Sequence, residues 1–403
     1  MAKVLFINSG PIGHLNPTIA VCKELVARGE EVVYYIGDQY QDKLKDTGVE
    51  IRTLPTDEII QRFTAYGSGN LFHVVNGLLN TADVILPKIL EDTKNEHYDY
   101  LISDSMFSFG NLIAQKLHIP TISSITSFAH TAETFEAALN YNAQALSETE
   151  MNDVEDTFNH LQQHIQTTYG VEVNSRYETM NNPGDFNIAY ILEKFQINPE
   201  LFDSAHYRFV GPSVMQPQST DFMSQVDQSR PIVYVSLGTV FNQNIGFFNQ
   251  CFAALKDLDV SVIVSIGEAN NAADFDTVPD NVLLKSYVPQ TELLQHTALF
   301  LTHAGMNSTN EALLMDVPLL AFPQNADQPL VAQQIENINV GQQLNSETVT
   351  TEDLKAKVVE MLQNRATYQA QIKKIKQTQA LDQPGYVTAV DQILTFRDHH
   401  INH

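Results

Sequence analysis

The 403-residue chain has little sulfur, little positive charge and no long apolar run. Its two cysteines, Cys22 and Cys251, fall inside helical patterns, which excludes a disulfide scaffold and suits core thiols of a cytoplasmic protein. No stretch reaches the ~18 consecutive apolar residues that mark a membrane span, so no stable membrane insertion is expected. The opening MAKVLFINSG lacks the layout of a secretory leader and reads as a first strand. Lys and Arg total 23 against 48 Asp and Glu, a formal net charge of −25 that argues against nucleic acid or an anionic membrane surface as partner. The acidic residues are scattered, as on a solvated surface, and a monomer or weak homo-oligomer is expected. Gly10 and Gly13 lack the spacing of a dinucleotide fingerprint. Asp257-Leu258-Asp259 and Asp274-Phe275-Asp276 have the spacing of acidic metal motifs, but neither has the strand context, and both read as surface turns. The tail from Asp398 to His403 carries metal-capable side chains without the spacing of a closed site and reads as a frayed end.

What the chain does have is alternation. With 43% hydrophobic residues it can fill two cores, and its length suggests two domains of roughly 100–200 residues. Strand-like runs at 3–8, 32–36, 49–54, 100–103, 121–125 and 187–191 alternate with helical patterns at 15–28, 71–95 and 107–117. A stretch at 211–230, with Pro212 and Pro217 and little periodicity, reads as a linker long enough to hinge. The rhythm then restarts with strands at 232–236, 260–266, 282–285, 300–302 and 317–322. These signals predict an α/β fold with domains at 1–210 and 231–380, and a final helical pattern at 386–396 within 381–403. Ligands of such parallel sheets bind beyond the carboxyl ends of the strands.

The richest segment is 300–328, FLTHAGMNSTNEALLMDVPLLAFPQNADQ. A strand runs into His303-Ala304-Gly305 and then a helix, with Asn307 or Ser308 as the expected N-cap. Strand, glycine turn and helix N-terminus aim free N–H groups and a positive dipole end at one point, an anion site to which His303 and Ser308 add donors. Glu311, a turn further on, suits a diol better than a phosphate, and Asp327 and Gln328 follow the next strand with groups for sugar hydroxyls. Phosphate, ribose and sugar together describe a nucleotide sugar. In the first half, His14 follows the first strand and Asp104 follows the strand at 100–103. Singly these suit a surface histidine and a helix cap. As a pair they suit a neutral imidazole base whose second ring nitrogen is held by a carboxylate.

The segment also resembles the donor signature of the GT-B UDP-glycosyltransferases, most closely the bacterial macrolide-type branch. His303, Gly305, Asn307, Ser308, Glu311, Pro323, Gln324, Asp327 and Gln328 fall in register. His14 with Asn16-Pro17, and Asp104 with Gly110, match the family's base and partner. Phe109 and Tyr287 stand where the family usually has tryptophan. The resemblance covers nearly the whole chain and implies two Rossmann-like domains facing each other across a cleft, with the last helix crossing back to the first. It implies that His14 is the general base and Asp104 its partner. Tyr287 would stack on uracil, with thymine as a competitor, and Val288 would meet the base edge through its backbone. Gln290 and Glu311 would hold the ribose. His303, Gly305, Asn307 and Ser308 would hold the diphosphate, with Ser236, Gly238 and Thr239 as the facing loop, while Asp327 and Gln328 would hold the sugar. The implied activity is inverting, metal-independent transfer of a hexose, most of all glucose, from a UDP-sugar to a hydroxyl of a hydrophobic small molecule such as a macrolide, flavonoid or steroid. No cofactor is implied beyond the UDP-sugar co-substrate. The polar insertion at 131–182 would shape the acceptor pocket. A nucleotide-sugar epimerase of the same fold and a non-catalytic nucleotide-sugar-binding helper protein are the alternatives.

Overall fold

The computed structural model describes residues 2–217, 219–238, 242–275, 277–379 and 383–401, so Thr239, Asp276, Asn402 and His403 lie outside the described residues. The chain separates into two compact units. One comprises Met1–Ile191, Asn198–Ser213 and Gln383–His403; the other comprises Leu192–Ile197 and Val214–Asp382.

The first unit is built on seven parallel strands, β1 (Lys3–Asn8), β2 (Glu31–Gly37), β3 (Glu50–Leu54), β4 (Tyr100–Asp104), β5 (Thr121–Ile125), β6 (Phe186–Ala189) and β7 (Tyr207–Phe209), in the order β3-β2-β1-β4-β5-β6-β7. Side chains alternate between two cores. Val4, Phe6, Val32 and Tyr34 pack with the helices Ile12–Ala27 and Gly385–Ile401. Leu5, Ile7, Val33 and Tyr35 pack with Leu71–Asn80, Ala82–Thr93 and Glu148–Tyr169. Strands apolar on both faces need this double cover. The strand order reverses between β1 and β4, so the chain leaves their carboxyl ends in opposite directions and opens a crevice there.

Two expected helices differ. The pattern at 71–95 is two helices meeting at Thr81, whose Oγ1 donates to the Leu78 carbonyl at 2.7 Å. The pattern at 107–117 yields a helix only from Gly110, because residues 105–109 form a turn that ends on Phe109 at φ 53°. A Cβ on Gly110 would lie 2.1 Å from Ser103 Oγ, so glycine is what lets this helix close on β4.

The C-terminal helix is locked to the first unit by charge. Glu30 is buried; it accepts from Tyr100 Oη at 2.8 Å and pairs with Arg397, while Arg28 pairs with Asp391 at 3.2 Å. Removing Arg397 strands a buried carboxylate, which typically costs about 3–5 kcal/mol. Arg397→Met should therefore lower the midpoint of denaturant unfolding by an amount near the lower end of that range, since Arg397 is partly exposed. Adding Glu30→Gln should recover part of the loss. An unchanged midpoint would contradict this role.

The second unit has six parallel strands, β8 (Ile232–Ser236), β9 (Ser261–Ser265), β10 (Val282–Lys285), β11 (Thr297–Thr302), β12 (Leu319–Ala321) and β13 (Gly341–Gln343), in the order β10-β9-β8-β11-β12-β13. Val233, Val235, Val262, Val264, Leu299 and Leu301 face one core with the helices Ile245–Leu255 and Thr351–Gln363. Here the order reverses between β8 and β11, and the register pairs Ser236 with Thr302, so the loops that follow leave side by side. Thr220, at the start of this unit, donates through its backbone and hydroxyl to Glu292 at 2.9 and 2.6 Å. No helix among the described residues is long and apolar enough to cross a membrane.

Candidate functional site

At the β1–β4 switch point, the turn after β1 is stitched to the turn after β4. Ser9 donates to the Phe107 carbonyl from its backbone N–H (2.9 Å) and its hydroxyl (2.8 Å). The Asn8 amide donates to the His14 carbonyl at 3.0 Å and accepts from Gly10 N at 3.1 Å. A Cβ on Gly10 would lie 2.9 Å from the Phe107 ring and 3.2 Å from His14 Cβ, so the close approach requires glycine. The helix Ile12–Ala27 starts after Pro11, which places His14 in its first turn and not at its cap.

Asp104 is fully buried at the end of β4. Its Oδ1 accepts from the backbone N–H groups of Met106 (2.9 Å) and Phe107 (2.8 Å). Its Oδ2 lies 2.8 Å from His14 Nδ1. Thr126 Oγ1 lies 3.1 Å from the same nitrogen. The Phe107 ring meets the His14 ring edge-on at 5.3 Å, and Phe63 meets Phe107 at 5.5 Å, forming an aromatic wall beside the imidazole. A carboxylate can only accept, so the Nδ1 position carries the proton and the neutral tautomer has its lone pair on Nε2. That is the state a general base needs.

In the second unit, β11 ends at Thr302, Ala304 adopts a left-handed φ of 64°, and Gly305 is the N-cap of the helix Met306–Leu314. Asn307 and Ser308 are therefore first-turn residues and not the expected N-cap. The shift follows from the Ala304 conformation, which turns the chain early enough for Gly305 to cap. The His303 ring is bracketed by glycines. A Cβ on Gly238 would lie 2.6 Å from its Nε2 and Cε1, and one on Gly305 would lie 2.3 Å from Nε2. Gly238 itself sits at φ 76° and donates its N–H to Ser236 Oγ at 3.2 Å. Burial pulls the His303 imidazole down to about 4, opposed by the Asp327 carboxylate and the Ser236 backbone. It is thus neutral near pH 7, and its Nδ1 is buried without a hydrogen bond.

Beside it, Gln290 is a hub. Its Nε2 donates to Glu311 Oε2 at 2.7 Å and to Ser308 Oγ at 3.2 Å, while its Oε1 accepts from Tyr234 Oη at 2.9 Å. Burial pushes the Glu311 carboxyl up to about 7, opposed by the Gln290 hydrogen bond. A buried carboxylate held by one donor gains from further hydroxyl donors. Just upstream, Val288 is buried and anchors the turn, while Tyr287 is 74% exposed and leaves an aromatic face available. Asp327 immediately precedes the helix Gln328–Asn337 and lies close enough to His303 to act on it electrostatically. Gln328 is buried, and its Oε1 accepts from the backbone of Gln324 (2.9 Å) and Asn325 (3.3 Å). Its amide NH2 is the end that can serve a ligand.

The structure therefore gathers His14 with Asp104, Gln290 with Ser308 and Glu311, and His303 with Ser236, Gly238, Gly305 and Asp327. Thr239 lies outside the described residues. The stretch from Ser123 to His130, which leads out of the strand at 121–125, is expected from the sequence to line the cleft, and Thr126 within it contacts His14, a role the sequence does not state. Tyr234 was not foreseen, because it reads as a core residue in alternation. Among the described residues, no three His, Cys, Asp or Glu side chains form a set that could hold a metal ion.

Comparison with known proteins gives a consistent picture. Residues 249–394 match the family model of the erythromycin biosynthesis protein CIII-like C-terminal domain. The chain is 32% identical over 383 residues to the uncharacterized UDP-glucosyltransferase YojK of Bacillus subtilis (strain 168), covering 94% of this chain and 93% of that protein. It is 30% identical over 399 residues to the uncharacterized UDP-glucosyltransferase YdhE of the same strain, covering 98% and 99%. Among solved structures, the glycotransferase of kitacinnamycin superposes with a TM-score of 0.85 at 21% identity, covering 97% of this chain and 98% of that one, a likeness of fold.

Proposed function

Because this chain belongs to the bacterial GT-B family of UDP-glycosyltransferases, we propose that it transfers glucose from UDP-glucose to a hydroxyl of a hydrophobic small molecule, with inversion and with His14 as general base. The observation that carries the reading is the 2.8 Å contact between His14 Nδ1 and the fully buried Asp104. In the step, His14 Nε2 takes the acceptor O–H proton as that oxygen forms a bond to the anomeric carbon. The bond from the anomeric carbon to the diphosphate breaks, and its electron pair leaves with UDP. A single displacement on an α-linked donor gives a β-glycoside. The Asp104 carboxylate stabilises the imidazolium. Base catalysis of this kind is worth roughly 10²–10⁴-fold.

The second unit supplies the groups suited to the donor. The N-terminus of Met306–Leu314, with Asn307 and Ser308 in its first turn, and His303 meet the charge that develops on the leaving diphosphate. Glu311 and Gln290 face a diol, Tyr287 offers a stacking face, and Asp327 with the Gln328 amide suits sugar hydroxyls. The aromatic wall of Phe107 and Phe63 beside the base favours an apolar acceptor. These groups make a divalent metal unnecessary for leaving-group stabilisation.

The test is mass spectrometry of reactions containing UDP-glucose and a panel of hydroxylated aglycones, with donor-only controls. A hexose-shifted product that forms at an unchanged rate in EDTA is expected. Donor epimerisation without an acceptor would favour an epimerase, nucleotide binding without turnover would favour a helper protein, and loss of rate in EDTA would overturn metal independence.

A further inference from the structure

The imidazole of His14 has more than one anchor. Its Nδ1 lies 2.8 Å from Asp104 Oδ2 and 3.1 Å from Thr126 Oγ1. Both groups are delivered by neighbouring strands. The register of β4 on β5 sets Asp104 beside Ser124, Ser105 N donates to the Ser124 carbonyl at 3.1 Å, and Thr126 follows two residues later. Thr126 is 5% exposed and Asp104 is 0% exposed, so neither contact competes with bulk water. Asp104 already spends Oδ1 on two backbone N–H groups. A single oxygen of that carboxylate is therefore left for the ring, and a second acceptor on the same nitrogen adds to the definition of its orientation.

From this geometry we infer that Thr126 is a positioning residue for the base. Its hydroxyl oxygen accepts a share of the Nδ1–H, so the ring is held by two acceptors, one at the end of β4 and one just after β5, and Nε2 is kept aimed for proton abstraction. The inference rests on the reading of His14 as base. The direction of the chemistry is fixed. Asp104 must receive the proton, since an ionised carboxylate has none to give, so the Thr126 oxygen can only be a second acceptor. A second acceptor also stabilises the imidazolium formed during the step, because Nδ1–H becomes a stronger donor when the ring is charged. Among the described residues, the phenols of Tyr34 on β2 and Tyr190 just after β6 interact electrostatically with Asp104; burial pushes both far up, so both stay neutral.

The test compares wild type, Thr126→Val, Thr126→Ser and His14→Ala in kcat, KM for donor and acceptor, and the pH profile of kcat/KM. Thr126→Val should lower kcat about 3–10-fold, the loss expected for one shared hydrogen bond, with both KM values within about twofold. Losing an acceptor disfavours the imidazolium, so the acid limb of the profile should move to lower pH. Thr126→Ser should restore both rate and limb. A Thr126→Val enzyme with wild-type kcat and an unmoved limb would overturn the inference, as would Ser and Val variants that are equally impaired. If Thr126→Val fails to fold, Thr126→Ala carries the same comparison. Full turnover by His14→Ala would instead remove the base assignment itself, which separates that failure from this one.

Discussion

Replacing His14 with alanine is expected to reduce sugar transfer to an alcohol acceptor by about 10²–10⁴-fold while leaving UDP affinity within about twofold. The split follows from where the residues lie. His14 sits in the first unit, in the first turn of the helix that follows β1, and the candidate nucleotide-binding groups sit in the second. The variant also takes from the buried Asp104 one of its partners while its two backbone donors remain, so a modest fall in stability is expected alongside the loss of rate. Calorimetric titration with UDP separates the two effects. A variant that binds UDP and still turns over fully would remove His14 from the mechanism.

The second large effect is expected from Gly305→Ala. Gly305 has φ −66°, a conformation open to any residue, so backbone strain plays no part. The effect is steric: the new Cβ would lie 2.3 Å from His303 Nε2 and 2.9 Å from Cε1. The ring must shift to admit it, and the same Nε2–Cε1 edge also lies close to Gly238, where a Cβ would be 2.6 Å away. Forced overpacking costs about 1–3 kcal/mol, so UDP affinity should fall about 5–150-fold, with the helix and the rest of the fold intact. Gly238→Ala should do at least as much, since its φ of 76° adds backbone strain to the collision. Unchanged UDP affinity in both variants would mean that His303 is not part of the nucleotide site.

Much of the fold could be read from residue order, for identifiable reasons. β1, β5, β8 and β10 are bounded by turn residues and carry β-branched or aromatic side chains, so their edges are sharp in the sequence. β13 is Gly341-Gln342-Gln343, and nothing in three such residues announces a strand; its pairing with β12 makes it one. The break at Thr81 is hidden because apolar periodicity continues on either side of it. The late start at Gly110 reflects the use of the Asp104 carboxylate to fix the turn before it, a tertiary demand that local propensity does not encode.

The candidate site divides in the same way. Residues next to strand ends, such as His14, Asp104 and His303, are visible because their place in the alternation is visible. Residues that act from within an element are not. Tyr234 alternates like any core tyrosine, yet its hydroxyl reaches Gln290. Gln328 reads as a ligand group, yet its oxygen is committed to its own loop. The short contact of Thr126 with His14 depends on a register between β4 and β5 that no local pattern states.

The account stands most directly on one measurement. Wild type and His14→Ala are incubated with UDP-glucose and a hydroxylated aglycone, and the product is examined by NMR for yield and anomeric configuration. The account predicts a β-linked glucoside from the wild type and almost none from a His14→Ala protein that still binds UDP. An α-linked product, or a β-linked product formed equally well without His14, would contradict it.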